Sequence, residues 1–575
     1  MKSRLANHHP SPEGSLGLAW SSALLAWGLL TSAPALSAPQ PRAPFAVATE
    51  SPGATKQAAR LLEAGGNAID AAVLAALVSG FSNPSSSGIG GGGFALVYSA
   101  RDKRVSVLDF RETAPAGVDA SVLAKRPLPE DKRGHAVGVP GEVAGLFDLH
   151  QRFGKTAWRE LLLRAARLAE QGFPAEPHTV SQVEDYKSSP LSRSANFKQV
   201  YLPGGAPPAL GQVLRAPRLA KTLRRIAAEG RRGFYEGAVA SDLVTTAKAA
   251  GGSLELADLA SYQPVPREPL RISWEGKQIL TMPPPSAGGL LLAETLALFS
   301  RAELVALDGA RGKRIHLLAE AMRAAFADRV RYLGDPAFAS VDVAKLLHPQ
   351  RLARRKARIA EDRTHTQARF GLEEAGTHHL VVADPEGNWV TLSTTTNDAF
   401  GAKLVAEQSG VLLNNQLLDF ATPESLVGFG LTESPNRPRP GARPVSSMSP
   451  TLVLEGGEPI LALGGSGALT IAPNTTQVLL NRLAFDLSVP DAVSAPRFTI
   501  PSPRTGQTLW LETKLAQAFG KDLEARGELL LAKDSQNAVQ ILARDGKGYA
   551  AAADPRKHGA AVVSADPTPD AATSQ

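Results

Sequence analysis

The chain has 575 residues, 43% of them hydrophobic and 20% charged, an ordinary globular composition long enough to bury a large core. It contains no cysteine, which excludes a disulfide framework, a lipid-bearing cysteine, thiol chemistry and cysteine-based metal sites. The formal charge of +7 is spread out, and the densest basic stretch, Arg351–Arg358, is followed by Glu361 and Asp362 and reads as a solvated helix, so no nucleic-acid partner is expected.

In chain order, Lys2 and Arg4 precede an apolar run from Leu16 to Leu30 and the small residues Thr31–Ala38. That order predicts a secretory signal peptide over residues 1–38, cut after Ala35 or Ala38. The run is short and interrupted by Ser, Gly and Trp, so no membrane anchor is expected once it is removed, and the product should be periplasmic or secreted. Ser51 to Ser79 reads as a helix and its approach, with Leu61, Leu62, Ile69, Val73 and Ala76 near helical spacing. The glycine run Gly90–Gly93 leads into a strand over Phe94–Ser99. Helical patterns cover Gly141–Leu168, Pro217–Gly230 and Ile315–Tyr332. From Thr377 the texture changes to two strands, His378–Ala383 and Asn388–Thr396, joined by the turn Asp384–Gly387. A proline-rich loop, Asn436–Pro444, precedes Ser446. These patterns alone support a mixed α/β class.

Taken singly, the candidate chemical features have bland readings. The glycine run lacks the Gly-Lys-Ser/Thr continuation of a phosphate loop and fits close backbone approach in a buried loop. His378 and His379, as strand neighbours, point to opposite faces and do not suit one metal ion. The threonine-rich Thr391–Thr396 is by default a β-propensity run.

Six segments in order say more: Glu63–Ala72 (EAGGNAIDAA), Ser87–Phe94 (SGIGGGGF), Leu108–Pro115 (LDFRETAP), Gly376–His379 (GTHH), Gly410–Gln416 (GVLLNNQ) and Arg443–Pro450 (RPVSSMSP). Running through nearly all of the chain after the leader, they resemble the γ-glutamyltranspeptidases, also called glutathione hydrolases. The resemblance implies the N-terminal-nucleophile hydrolase fold, a four-layer αββα sandwich, made by a precursor that cuts itself between Gly376 and Thr377. A large subunit, 39–376, and a small one, 377–575, would form one unit. The function implied is cleavage of γ-glutamyl amides such as glutathione through a γ-glutamyl-threonine ester, passed to water or to an amino-acid or peptide amine, with no cofactor.

A threonine hydroxyl is a weak nucleophile at neutral pH, and an α-amino group on the same residue, with an ordinary pKa of about 7.7 to 8.0, supplies the missing base. Before cleavage that nitrogen is an amide, so processing creates the catalyst. By resemblance Thr395 would hydrogen-bond the Thr377 hydroxyl. Arg111, with Ser446 and Ser447, would take the substrate α-carboxylate, and Asn397, Gln416 and Asp419 its α-amino group. A lone Arg111 charge in a pocket is costly, so a ligand partner is expected for it. The oxyanion hole falls on Gly467 and Ala468, where Gly464–Ala468 (GGSGA) departs from the family's Gly-Ser-Pro-Gly-Gly. His378 replaces the usual Thr or Ser. The segment between Asp419 and Ser446 corresponds to the loop that covers the pocket in many members, with an unlike sequence. Two alternatives stand beside this reading: a glutaryl-type β-lactam acylase of the same fold, and an exported γ-glutamyl-binding protein without turnover, suggested by Ala468.

Overall fold

The computed structural model describes residues 44–364, 375–427, 429–500, 508–534, 537–546 and 548–564. The expected signal peptide lies outside them. No described helix is long and apolar enough to cross a membrane.

Two antiparallel sheets form the centre. The first has seven strands in the order Ala560–Val563, Ala46–Thr49, Ala375–Ala383, Trp389–Asp398, Gly92–Ser99, Arg104–Phe110, Val265–Arg267. The second has six: Gly548–Ala552, Val539–Asp545, Glu458–Gly465, Thr451–Glu455, Lys277–Thr281, Leu270–Trp274. The period-two alternation of each strand divides the core. Along Gly92–Ser99, Phe94, Leu96 and Tyr98 face the second sheet, while Ala95 and Val97 face helices. Val381 and Ala383 likewise face the sheet interlayer and Leu380 and Val382 the helices. Helices such as Ala68–Ser82, Trp158–Gln171 and Pro217–Glu229 cover the outer face of the first sheet, and Gly288–Leu298, Arg311–Tyr332 and Ile471–Leu483 that of the second. The result is the expected αββα sandwich.

Local departures have physical causes. The helix expected within Ser51–Ser79 is two, Pro52–Glu63 and Ala68–Ser82, because Asn67 and Asp70 form a capping box that starts a new helix. The pattern over Gly141–Leu168 is also two helices, Glu142–Phe153 and Trp158–Gln171. The basic helix Pro349–Lys356 is not simply solvated: Arg355 donates to Glu294 and Asp328 at 2.6 Å each, and Arg351 reaches the same buried carboxylates. One turn apart, these arginines share the inward face. The glycine run is a place of close approach, since a Cβ on Gly91 or Gly93 would lie 2.0 Å from the carbonyl oxygen of Thr395 or Ser393.

Candidate active site

The strand expected from His378 begins at Ala375, so the Gly376–Thr377 bond lies inside it. By alternation Thr377 shares the interlayer face with His379, opposite His378. Their hydrogen bonds agree: His378 Nε2 meets Ser79 Oγ of the covering helix at 3.0 Å, and His379 bonds Ser393 at 2.8 Å and Thr391 at 3.2 Å. Burial holds both imidazoles uncharged, pulling His378 down to about 3.

The ladder between Ala375–Ala383 and Trp389–Asp398 runs regularly to Thr394↔His378, then slips, resuming at Asn397↔Gly376. Such an irregularity re-aims side chains. Here it brings Thr395 over the junction: the Thr377 hydroxyl donates to Thr395 Oγ1 at 3.3 Å, and Thr395 Oγ1 donates to the Gly376 carbonyl at 2.5 Å. The Asn397 N–H, on a residue at φ 76°, donates to the same hydroxyl at 2.8 Å. A Cβ at position 376 would lie 2.1 Å from the Ser85 carbonyl oxygen, so glycine is what lets the junction sit there. From behind, Lys557 Nζ donates to the Thr377 carbonyl at 3.1 Å, to Ser466 Oγ at 2.8 Å and to Glu50 at 3.1 Å.

Thr377 opens onto a cavity of about 370 Å³ whose wall includes Arg111, Asn397, Gln416, Asp419, Ser446, Ser447 and Ala468. The structure thus gathers most of the residues singled out in the sequence. Arg111 is buried, and Nη2 donates to Asp419 at 2.5 Å while Nε donates to the Pro444 carbonyl at 3.1 Å. The expected need for a ligand to balance Arg111 is therefore corrected, because Asp419 and backbone carbonyls already do so. Gln416 Nε2 donates to Asp419 at 2.9 Å, and its buried Oε1 has no hydrogen-bond partner. Asn397 Nδ2 donates to the Asn415 carbonyl at 3.2 Å.

Ser446 and Ser447 border the same cavity as Arg111. Ser446 Oγ accepts from the Met448 N–H at 3.1 Å, and Ser447 Oγ accepts from Arg329. Arg329 was not expected from the sequence. It follows Met322 and Phe326 on the buried stripe of helix Arg311–Tyr332, and a cation at that spacing was the available signal. Burial lowers its guanidinium to about 10, with Asp419 opposing the shift and Arg111 adding to it. Lys557 and Glu50 were also missed, since neither sits in a periodic pattern. Of the stretch between Asp419 and Ser446, Pro444 and Val445 accept from Arg111 through their carbonyls, and Arg126, Leu128 and Arg133 also line the cavity.

Gly467 and Ala468 follow the strand Glu458–Gly465 with φ 118° and φ 54°, and of the two Ala468 lines the cavity. Ala468 therefore holds a left-handed conformation in which an alanine is strained.

Two stacked sheets between helical layers, with a threonine at a strand junction facing a charged cavity, define the N-terminal-nucleophile hydrolase class. The family model for gamma-glutamyltranspeptidase matches residues 54–564. Glutathione hydrolase proenzymes of Pseudomonas aeruginosa and Bacillus subtilis are 36% and 35% identical, over 90% and 78% of this chain and 94% and 80% of their own. A cephalosporin acylase from Bacillus halodurans superposes with a TM-score of 0.79 at 27% identity, covering 92% of this chain and 98% of its own. The chain belongs to the γ-glutamyltranspeptidase family.

Proposed function

We propose that the chain is an exported precursor that cleaves itself between Gly376 and Thr377 and then acts as a γ-glutamyltransferase and glutathione hydrolase. The observation that carries this is the hydroxyl relay from Thr377 through Thr395 to the Gly376 carbonyl, at the mouth of a cavity holding the Arg111–Asp419 pair.

In self-cleavage, Thr377 Oγ1 attacks the Gly376 carbonyl carbon while Thr395 polarises its oxygen; the Gly376–Thr377 C–N bond then breaks as the hydroxyl proton passes to the Thr377 nitrogen, so the acyl group moves from nitrogen to oxygen. Water then releases Gly376 and leaves a free α-amine on Thr377. In turnover that amine accepts the hydroxyl proton as Thr377 Oγ1 attacks the substrate γ-carbonyl. The tetrahedral oxyanion is held by the N–H groups of Gly467 and Ala468. The proton passes to the departing amine, leaving a γ-glutamyl-threonine ester, which water or an amino-acid or peptide amine then resolves.

For the substrate head, Arg111 fits the α-carboxylate and Arg329, on Ser447, adds a second cation near it. Asp419 and the partnerless Gln416 Oε1 fit the α-ammonium. These acceptors favour a γ-glutamyl over a glutaryl head, which has no ammonium. The likeness to the cephalosporin acylase supports the acylase as the second reading.

The test has two parts. A denaturing gel with N-terminal sequencing should show a fragment beginning at Thr377, and glutamate should be released from glutathione. A small fragment that releases side chains from glutaryl-β-lactams but no glutamate from glutathione would select the acylase. A processed protein that binds donor without forming an ester would select the non-catalytic binding protein.

A further inference from the structure

The Lys557–Glu50 pair has no part in the reaction as described so far, yet it is built into the back of Thr377. Three strand ends meet there: Glu50 follows Ala46–Thr49, Ser466 follows Glu458–Gly465, and Lys557 precedes Ala560–Val563. Lys557 is 5% exposed and Glu50 1%. The ammonium uses its donors on Thr377 O, Ser466 Oγ and Glu50 Oε2, and Glu50 Oε1 accepts from the His379 N–H at 3.1 Å. The α-nitrogen and carbonyl oxygen of one residue are joined through two backbone carbons. The Lys557 charge therefore stands within roughly 7 Å of the Thr377 nitrogen.

Across the cavity in front of Thr377, Arg111 is paired with Asp419 and Arg329 lies on Ser447, whereas Lys557 bonds Thr377 itself. On the strand itself His378 and His379 are uncharged. His178, on helix Pro177–Tyr186 across a second cavity of about 330 Å³ that touches Gly376 and Lys557, is pulled down to about 3 by burial, with Lys557 adding to the effect. Asp185 is at the exposed lip of that cavity. Asp398, on the neighbouring strand, is bonded by Asn415 Nδ2 at 2.5 Å. Burial pushes the Glu50 carboxyl above its ordinary range, and the Lys557 ammonium opposes that push.

Resting on the reading of Thr377 as an N-terminal nucleophile, we propose that Lys557 is a positioning residue that acts through Thr377, fixing its carbonyl and disfavouring protonation of its α-amine. A base is useful only when unprotonated, and a like charge nearby disfavours the charged form. Glu50 holds Lys557 in place and partly offsets it. The pair thus sets the pH at which the α-amine becomes a working base.

The experiment is the pH dependence of kcat/KM with a chromogenic γ-glutamyl donor, on processed protein whose small fragment is shown by sequencing to begin at Thr377. Glu50→Gln removes the offsetting charge and should move the acid limb down. Lys557→Met in the Glu50→Gln background should move it up by about one pH unit relative to Glu50→Gln alone. Lys557→Arg should restore a limb near wild type. A purely structural role would lower kcat without displacing the limb, so coincident limbs in Glu50→Gln and the double variant overturn the proposal. If the double variant does not process, the sign of the Glu50→Gln displacement decides: no shift, or an upward one, overturns it. A small fragment beginning elsewhere overturns the nucleophile reading itself, which separates that failure from a failure of Lys557.

Discussion

Replacing Ala468 by glycine tests the oxyanion arrangement and the backbone energetics together. At φ 54° an alanine carries a left-handed penalty of about 1–2 kcal/mol. Glycine removes that penalty but loses about 0.5–1 kcal/mol through its freer unfolded chain. The net expectation for Ala468→Gly is a stabilisation of roughly 0 to 1.5 kcal/mol. The donor at position 468 is a backbone N–H that both residues carry, so turnover should rise or hold, within about tenfold. Loss of an oxyanion donor, by comparison, costs about 100- to 1,000-fold. Ala468→Val, β-branched at positive φ, should be destabilised and slower. Thermal midpoints of processed protein and single-turnover acylation rates with a chromogenic donor measure the two effects. An Ala468→Gly protein less stable than wild type by about 1 kcal/mol, or more than tenfold slower in acylation, would refute the reasoning.

Thr395→Val removes the hydroxyl between Thr377 and the Gly376 carbonyl at nearly constant volume, and should leave uncut precursor on a gel over times at which wild type is fully cut. Asp419→Ala should leave self-cleavage intact and lower kcat/KM for γ-glutamyl donors by about 100-fold, a loss of about 2.7 kcal/mol. Wild-type donor kinetics would remove Asp419 from the head-group site. Glu112 and Glu142 are fully buried neighbours, and burial pushes Glu112 up to about 8 from its ordinary 4.5. A raised folded value gives stability that is complete below 4.5 and is lost as pH rises toward 8. Glu112→Gln should therefore be more stable than wild type near pH 8, by roughly 2–4 kcal/mol, with the advantage vanishing below pH 4.5. Midpoints measured from pH 4 to 8.5 that run parallel for the two proteins would count against it.

What the sequence disclosed and what it hid follow from the range of the interactions involved. Residues set by local rules were legible: the turn Asp384–Gly387, the alternation along Val381–Ala383, and the glycines that meet Thr395 and Ser393. The head-group residues were legible only through resemblance, because Arg111 and Asp419 lie 308 positions apart and meet through folding. Lys557 reaches Thr377 and Glu50 across 180 and 507 positions, which no local pattern encodes. Ala468 stood out in the sequence only as a departure from the family's Gly-Ser-Pro-Gly-Gly; its positive φ is a property of the folded backbone.

The position of the junction explains how one geometry can serve both proposed reactions. Ladder contacts on the N-terminal side of the bond, Ala375↔Asp398 and Gly376↔Asn397, belong to the part that cleavage frees. The contacts that hold Thr377 lie on the other side: the pairing from His378↔Thr394 onward, and Lys557 on its carbonyl. None of these uses the bond to be cut. Cleavage can therefore exchange an amide for an amine at Thr377 while the hydroxyl keeps its place beside Thr395. The slip in the ladder falls between the two sets, so the freed segment can leave without unzipping the strand that carries the nucleophile.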